Sequence, residues 1–147
     1  MNPLYISGRI KDKKRVEKYI HDIAEELGIN QHYTKYLEIT FTSKLDGDSQ
    51  GFCWGDKETH AEIEIARTSC GKRLSADQMM KTLAHEMVHA KQYIFGELDG
   101  YSDSWKGQDT NYFEYEDSPW EKEAYELEGI LYEKFWKKTS QNLCHSL

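Results

Sequence analysis

The twenty residues from Leu74 to Tyr93 constrain the fold of this chain more than any other segment. Ser75 followed three residues later by Gln78 is a capping-box pattern, and Gly96 offers a stop. Apolar residues recur at helical spacing between these signals, at Met80, Leu83, Ala84, Met87 and Val88. We therefore predict a helix here, with one buried stripe along its length.

This predicted helix carries the pattern His-Glu-x-x-His at His85, Glu86 and His89. Side chains four residues apart lie one above the other on a helix, so both imidazoles can reach one Zn²⁺ ion. Glu86 leans toward the water that such an ion activates, where it can act as the general base. The alternative is a helix with two surface histidines, which the position of the motif between a cap and a stop disfavours. The pattern predicts a hydrolytic zinc site.

A catalytic zinc site needs a third protein ligand, and the chain offers few candidates. The long metzincin motif places a histidine six residues after the second one, where this chain has Phe95. The only later histidine, His145, lies in a tail that we expect to be frayed. The sequence therefore disfavours a site with three histidines.

Glu123 is the preferred third ligand, with Glu126 as the fallback. It lies one turn from both Trp120 and Leu127 on a predicted C-terminal helix, at the border of the buried face. The alternative is a solvated charge on a charge-rich helix, which the upstream motif makes less attractive. The same helical pattern places Glu121, Tyr125 and Glu128 on the outward side.

The remaining patterns predict a single α+β domain over residues 1–147. A support helix is expected at Lys13–Leu27, and alternating apolar residues indicate a small, mostly antiparallel sheet. Its strands are predicted at Tyr36–Leu45, Gly51–Trp54 and His60–Arg67. A short hairpin is expected to open at 105–108 and to end in 112–115. Ser118 with Glu121 predicts a second capping box, with a helix from Pro119 to about Lys137.

Two further features would support catalysis. Ala61–Ala66 precedes the motif helix, where an edge strand could pair with an extended substrate, although an ordinary core strand is equally compatible with the pattern. An oxyanion donor is also needed, and the sequence does not decide among its candidates. These are Tyr101, Tyr112, Tyr115 and His60.

Composition limits the partners and the compartment. A net charge of −7 argues against a nucleic-acid surface, which needs a basic face. Three Cys without a CxxC pair indicate reduced thiols, as in a cytoplasmic protein. No signal segment and no membrane span is recognisable, so we expect a soluble, cytoplasmic monomer that acts on a peptide or protein.

The two helices together resemble a known group of enzymes. His85-Glu86-x-x-His89 followed by Glu123-Ala124 is similar to the gluzincin metallopeptidases, whose third ligand is a Glu before a small residue. The stretch Pro119–Ala124 is similar to small phage and bacterial metallopeptidases, which implies the host cytoplasm if the chain is phage-encoded. SprT-like and ImmA/IrrE proteins look like cousins by size, although the former normally supply a third His. The resemblance spans Leu74–Leu131.

The resemblance implies a minimal zincin-like domain and a zinc-dependent peptidase. In that account His85, His89 and Glu123 hold Zn²⁺, and Glu86 is the catalytic base. The alternative is a zinc-binding regulatory or assembly module that retains the metallopeptidase fold without general turnover. An intact Glu86 argues against it, since a purely structural site has no use for that carboxylate.

Overall fold

A computed structural model describes residues 4–31 and 34–137 of the chain. Its helices are α1 (Lys13–Leu27), α2 (Ala76–Ile94) and α3 (Pro119–Tyr132). The main sheet contains β1 (Leu4–Gly8), β2 (Tyr36–Thr42), β3 (Gly51–Gly55) and β4 (His60–Ala66). Short strands follow at β5 (Thr68–Ser69), β6 (Lys72–Arg73), β7 (Leu98–Asp99), β8 (Ser104–Trp105) and β9 (Gln108–Asp109). The predicted α+β class is confirmed.

The main sheet has the order β1-β2-β4-β3, and two of its three pairings are parallel. Only β3 runs antiparallel, beside β4. The expected mostly antiparallel sheet is therefore wrong. Helix α1 links β1 to β2, and a helical crossover brings consecutive strands together in parallel. Strand β1 was not predicted. Its only sequence signal is the short alternation of Leu4 and Ile6 with Tyr5 and Ser7.

The helices cover one face of this sheet and enclose the core. Inward residues of β2 and β4 alternate with polar ones, and the inward set is fully buried. It consists of Leu37, Ile39, Phe41, Ala61, Ile63 and Ile65. The phenol of Tyr19 on α1 donates a hydrogen bond of 2.8 Å to the carbonyl oxygen of Met80 on α2. This bond and the shared core fix α2 against the sheet.

Helix α2 begins as its sequence predicts. The Ser75 hydroxyl accepts from the Gln78 backbone, and the Gln78 side chain accepts from the Ser75 backbone. Both halves of the capping box are therefore present. The helix ends just before Gly96, whose positive φ of 77° suits a chain reversal at a helix end.

Helix α3 differs from its prediction at its first turn. Pro119 takes the first helical position as expected, but Ser118 makes no cap to the helix backbone. Its hydroxyl donates instead to the carbonyl oxygen of Glu114, because the preceding residues turn back toward it. The predicted second capping box is wrong. The helical path continues past Tyr132 as a π-helical turn over Glu133–Lys137.

The segment between α2 and α3 forms a small three-stranded sheet of β7, β8 and β9. Strands β8 and β9 form a hairpin that opens at 105–108 as predicted, but it ends at Asp109, so the predicted end in 112–115 is wrong. Two 3₁₀ turns then lead into α3. Within the ranges 4–31 and 34–137, no helix is long and apolar enough to cross a membrane. The expected frayed tail and His145 lie outside the described residues.

Candidate metal centre

Two histidines on consecutive turns of α2 face the same point. Nε2 of His85 lies 3.2 Å from Nε2 of His89, and the ring planes are nearly perpendicular. The i, i+4 spacing on one helix explains this approach. Both rings are mostly shielded from solvent, so two nitrogen atoms that could ligate a metal meet at a largely buried position.

The carboxylate of Glu121 on α3 completes this group. Its Oε1 lies 2.5 Å from Nε2 of His89 and 3.4 Å from Nε2 of His85. Of the His, Cys, Asp and Glu residues that the structure describes, these are the only three whose ligand atoms converge closely enough for one ion. In a tetrahedral zinc site with bonds of about 2.0–2.1 Å, neighbouring donors lie roughly 3.3 Å apart. The separations of 3.2 and 3.4 Å match that value. A bound ion would have to widen the 2.5 Å separation between Glu121 and His89.

Glu123, the ligand expected from sequence, lies elsewhere. Its Oε1 accepts hydrogen bonds of 3.0 Å from Nζ of Lys91 and from Nε2 of Gln92. Residues two apart on a helix point about 200° apart around its axis, so Glu121 and Glu123 cannot face the same point. The structure does not bring Glu123 to the histidines, and the fallback Glu126 lines an exposed surface groove.

Each histidine has a polar neighbour at its other ring nitrogen. Oε1 of Gln92 lies 2.8 Å from Nδ1 of His89, and Oε2 of Glu128 lies 3.4 Å from Nδ1 of His85. An acceptor at Nδ1 holds the proton there and leaves the lone pair of Nε2 free for a ligand bond. Glu121 and Glu128 therefore face the histidines of α2, and their predicted position on the outward side of α3 is wrong.

Glu86 is buried beside these histidines, with only 8% of its surface exposed. Burial raises the pKa of its carboxyl group, and His89 and His85 oppose that shift. Strand β3 crosses close to it. A methyl group at Gly51 would lie 3.2 Å from Cγ of Glu86 and 2.5 Å from Cγ2 of Thr82. A glycine is needed there for α2 and β3 to pack so closely.

The charges of the cluster stabilise one another. Interactions with His85 and His89 lower the pKa of Glu121 to about 2. Burial alone would lower the pKa of His89, but hydrogen bonding to Glu121 and Gln92 raises it above its usual value. A carboxylate that is ionised at neutral pH and lies between two imidazoles suits a divalent cation.

The strand nearest the site is not the one the sequence suggested. Strand β4, which contains Ala61–Ala66, lies between β2 and β3, so the core strand is confirmed and the alternative of an edge strand is wrong. The edges of the main sheet are β1 and β3, and β3 is the one beside the site. It packs directly on α2, as the contact of Gly51 with Glu86 requires.

The expected oxyanion donors are not gathered around the histidines. His60 stacks on Tyr36 at a centroid distance of 4.7 Å and contacts Glu62. Tyr101, Tyr112 and Tyr115 are all largely exposed. The tyrosine that does touch the cluster is Tyr125, whose ring centroid lies 4.8 Å from that of His85. Its i+4 spacing from Glu121 on α3 is the signal that could have identified it.

A cavity of about 290 Å³ opens beside His89 and Glu121. Its walls come from α2, β3, the segment after α2 and the first turn of α3. The cluster is therefore reachable from one side by a ligand larger than water.

Comparisons with protein-family models, curated proteins and solved structures find no match to this chain. Functional inference therefore depends on the geometry of His85, His89, Glu121 and Glu86.

Proposed function

We propose that this protein is a zinc-dependent peptidase in which His85, His89 and Glu121 bind the ion and Glu86 is the general base. The observation that carries the proposal is the convergence of three ligand atoms from two helices, with donor separations between 2.5 and 3.4 Å. Two imidazoles and one carboxylate form a ligand set used by hydrolytic zinc enzymes, which keep a further position open.

The residues around the cluster have the roles that such a site requires. Gln92 and Glu128 orient the two imidazoles through their Nδ1 atoms. Zinc, when bound, polarises water and the carbonyl group of the substrate. Glu86 follows His85 directly in the sequence and lies close to both histidines, and it can accept a proton and return it to the leaving amine. Its raised pKa brings it closer to the operating pH of a base.

Substrate binding would use the outer edge of β3. The carbonyl oxygens of Gly51 and Gly55 on this edge already accept bonds from Ser49 and Gly100, so an extended peptide would add at Cys53 between them. Strand β3 also touches Glu86 through Gly51, so a bound peptide would pass beside the base. This arrangement favours a peptide or protein substrate.

We propose a minimal, zincin-like domain whose third ligand differs from that of the gluzincin pattern. The Glu before a small residue is Glu123-Ala124, but the geometry favours Glu121, which precedes Lys122. The free thiols of Cys53 and Cys70 agree with a reducing, cytoplasmic setting.

The proposal is tested by hydrolysis of a mixed peptide library. Wild-type protein loaded with one zinc should cleave peptides, and Glu86→Gln should bind the same zinc but lose at least about 99% of the rate. Equal rates in the two proteins would contradict the role of Glu86. Zinc binding with no cleavage of any peptide or protein would favour the alternative, a non-catalytic zinc-binding module.

A further inference from the structure

The cavity beside the candidate metal centre is lined by acidic residues. Three of its lining residues are carboxylates, namely Asp99, Asp103 and Glu121. None of the described residues that line it is Lys or Arg. With Glu121 engaged at the metal centre, two carboxylates remain on the wall, and we refer to this cavity as the acidic pocket.

The nearby lysines do not neutralise it. Nζ of Lys91 lies 3.0 Å from both Glu97 and Glu123, and Nζ of Lys106 lies 3.6 Å from Glu97. These pairs occupy the ammonium groups of Lys91 and Lys106, and among the described residues no ion pair joins Lys57 to a carboxylate of the pocket. The negative charge of the pocket is therefore available to a ligand.

The two carboxylates of the wall differ in their remaining hydrogen-bonding capacity. Asp99 is buried and accepts from the hydroxyl of Ser102 at 2.8 Å and from the backbone N–H groups of Lys57 and Tyr101 at 3.4 Å. Asp103 is exposed at the mouth, and no side chain or backbone group of the described residues donates to its carboxylate. Asp103 can therefore bind a ligand without breaking an existing bond.

Aromatic side chains form much of the rest of the wall. Trp54, Tyr93 and Trp120 line the pocket together with the carboxylates. The ring of Trp54 is held edge-on by Tyr101, with centroids 5.1 Å apart. Aromatic faces beside a carboxylate attract ammonium and guanidinium groups more strongly than neutral or anionic ones.

We propose that the acidic pocket selects a lysine or arginine side chain of the peptide substrate, with Asp103 as the carboxylate that pairs with it. A volume of about 290 Å³ accommodates such a side chain. The aliphatic part lies against the aromatic walls, and the charged end reaches Asp103. This inference rests on the proposed function, because it assigns the substrate class of the same site.

Binding and turnover test the inference separately. Zinc-loaded Glu86→Gln is titrated with fluorescent Gly-Ala host peptides that carry one guest residue, either Arg, Lys, Leu or Glu. The Arg and Lys peptides should bind about tenfold more tightly than the Leu peptide, and the Glu peptide more weakly still. Asp103→Asn, made in the same background, should remove most of this preference while leaving the Kd of the Leu peptide unchanged.

A matched control removes one negative charge away from the pocket. Asp46 lies exposed in the turn between β2 and β3, and Asp46→Asn should leave the preference unchanged. The inference is overturned if Leu or Glu peptides bind as tightly as Arg peptides, or if the preference survives Asp103→Asn. It is also overturned if no guest peptide binds. A preference for Arg and Lys without cleavage by the zinc-loaded wild type would support the pocket and contradict the peptidase instead.

Discussion

Oε1 of Gln92 lies 2.8 Å from Nδ1 of His89, one turn along the same helix. Gln92 is fully buried, and its Nε2 donates to the carbonyl oxygen of Trp120 and to Glu123 on α3. One side chain thus orients the imidazole of a candidate metal ligand and joins the two helices of the candidate metal centre. The position of α3 relative to α2, and hence of Glu121, depends on this residue.

Replacing Gln92 should therefore weaken both the metal centre and the helix pairing. In Gln92→Leu we expect zinc affinity to fall about 10–100-fold, because His89 loses the partner that fixes its tautomer. The free energy of unfolding should fall by about 1 kcal/mol, because the half-buried acceptors of Trp120 and Glu123 lose a donor. Competition with a zinc chelator and urea denaturation measure the two effects. Gln108→Leu, on the exposed strand β9, is the control and should change neither.

The sequence was sufficient to predict the central helix. Its capping box, apolar stripe and motif all depend on local spacing, which the fold preserves. The support helix α1 and the strands β3 and β4 follow for the same reason, since their signals lie within a few residues of one another.

The third ligand required information that spacing does not contain. The apolar stripe of α3, which includes Ala124 and Leu131, has a polar border on each side. Glu123 lies on one border and Glu121 on the other, so the helical pattern alone does not justify the predicted outward position of Glu121. The packing of α3 on α2 decides the question, and it places Glu121 at the histidines.

The parallel or antiparallel direction of the strands could not be predicted from local sequence patterns either. Alternation within β2 and β4 predicts that each is half-buried but says nothing of its partner. The unpredicted β1 and the insertion of β4 between β2 and β3 determine that the pairings β1–β2 and β2–β4 are parallel.

The close approach of β3 to α2 predicts an effect of adding one methyl group. In Gly51→Ala the new Cβ would lie 2.5 Å from Cγ2 of Thr82, so β3 or Thr82 must move, and at 3.2 Å from Cγ of Glu86 it also presses on the base. We expect a loss of about 1–3 kcal/mol in the free energy of unfolding and, for a base displaced by about 1 Å, a fall of about 100-fold in kcat with zinc retained.

A second glycine provides the control for this substitution. Gly129 lies within α3, and a methyl group there would meet no atom within 4 Å. Gly129→Ala should stabilise the protein by about 0.4–1 kcal/mol by restricting the unfolded chain. A Gly51→Ala protein as stable and active as Gly129→Ala would contradict the packing described for Glu86.

The turn that precedes β4 should make stability depend on pH. Burial alone would raise the pKa of Asp56, but hydrogen bonds from Thr59 and from the Glu58 backbone, with His60 nearby, lower it below 3.8. A depressed pKa stabilises the folded state above about pH 4, and this contribution is lost as the pH falls through the folded pKa.

Comparison of the wild type with Asp56→Asn measures this contribution. At pH 6 the substitution should cost about 1.5–3 kcal/mol, since charge-assisted hydrogen bonds are weakened. The cost should shrink as the pH falls below about 4, where the wild-type carboxylate also becomes protonated. A cost that is independent of pH would mean that the ionised form of Asp56 does not stabilise the turn.

The identity of the third ligand is the central claim, and two neighbouring glutamates allow it to be tested directly. Zinc content and affinity are measured by elemental analysis and chelator competition for the wild type, Glu121→Gln and Glu123→Gln. We predict about one zinc per chain in the wild type and in Glu123→Gln, and a loss of at least about 100-fold in affinity in Glu121→Gln. Zinc retained by Glu121→Gln but lost by Glu123→Gln, or no zinc bound by the wild type, would contradict the proposed metal centre.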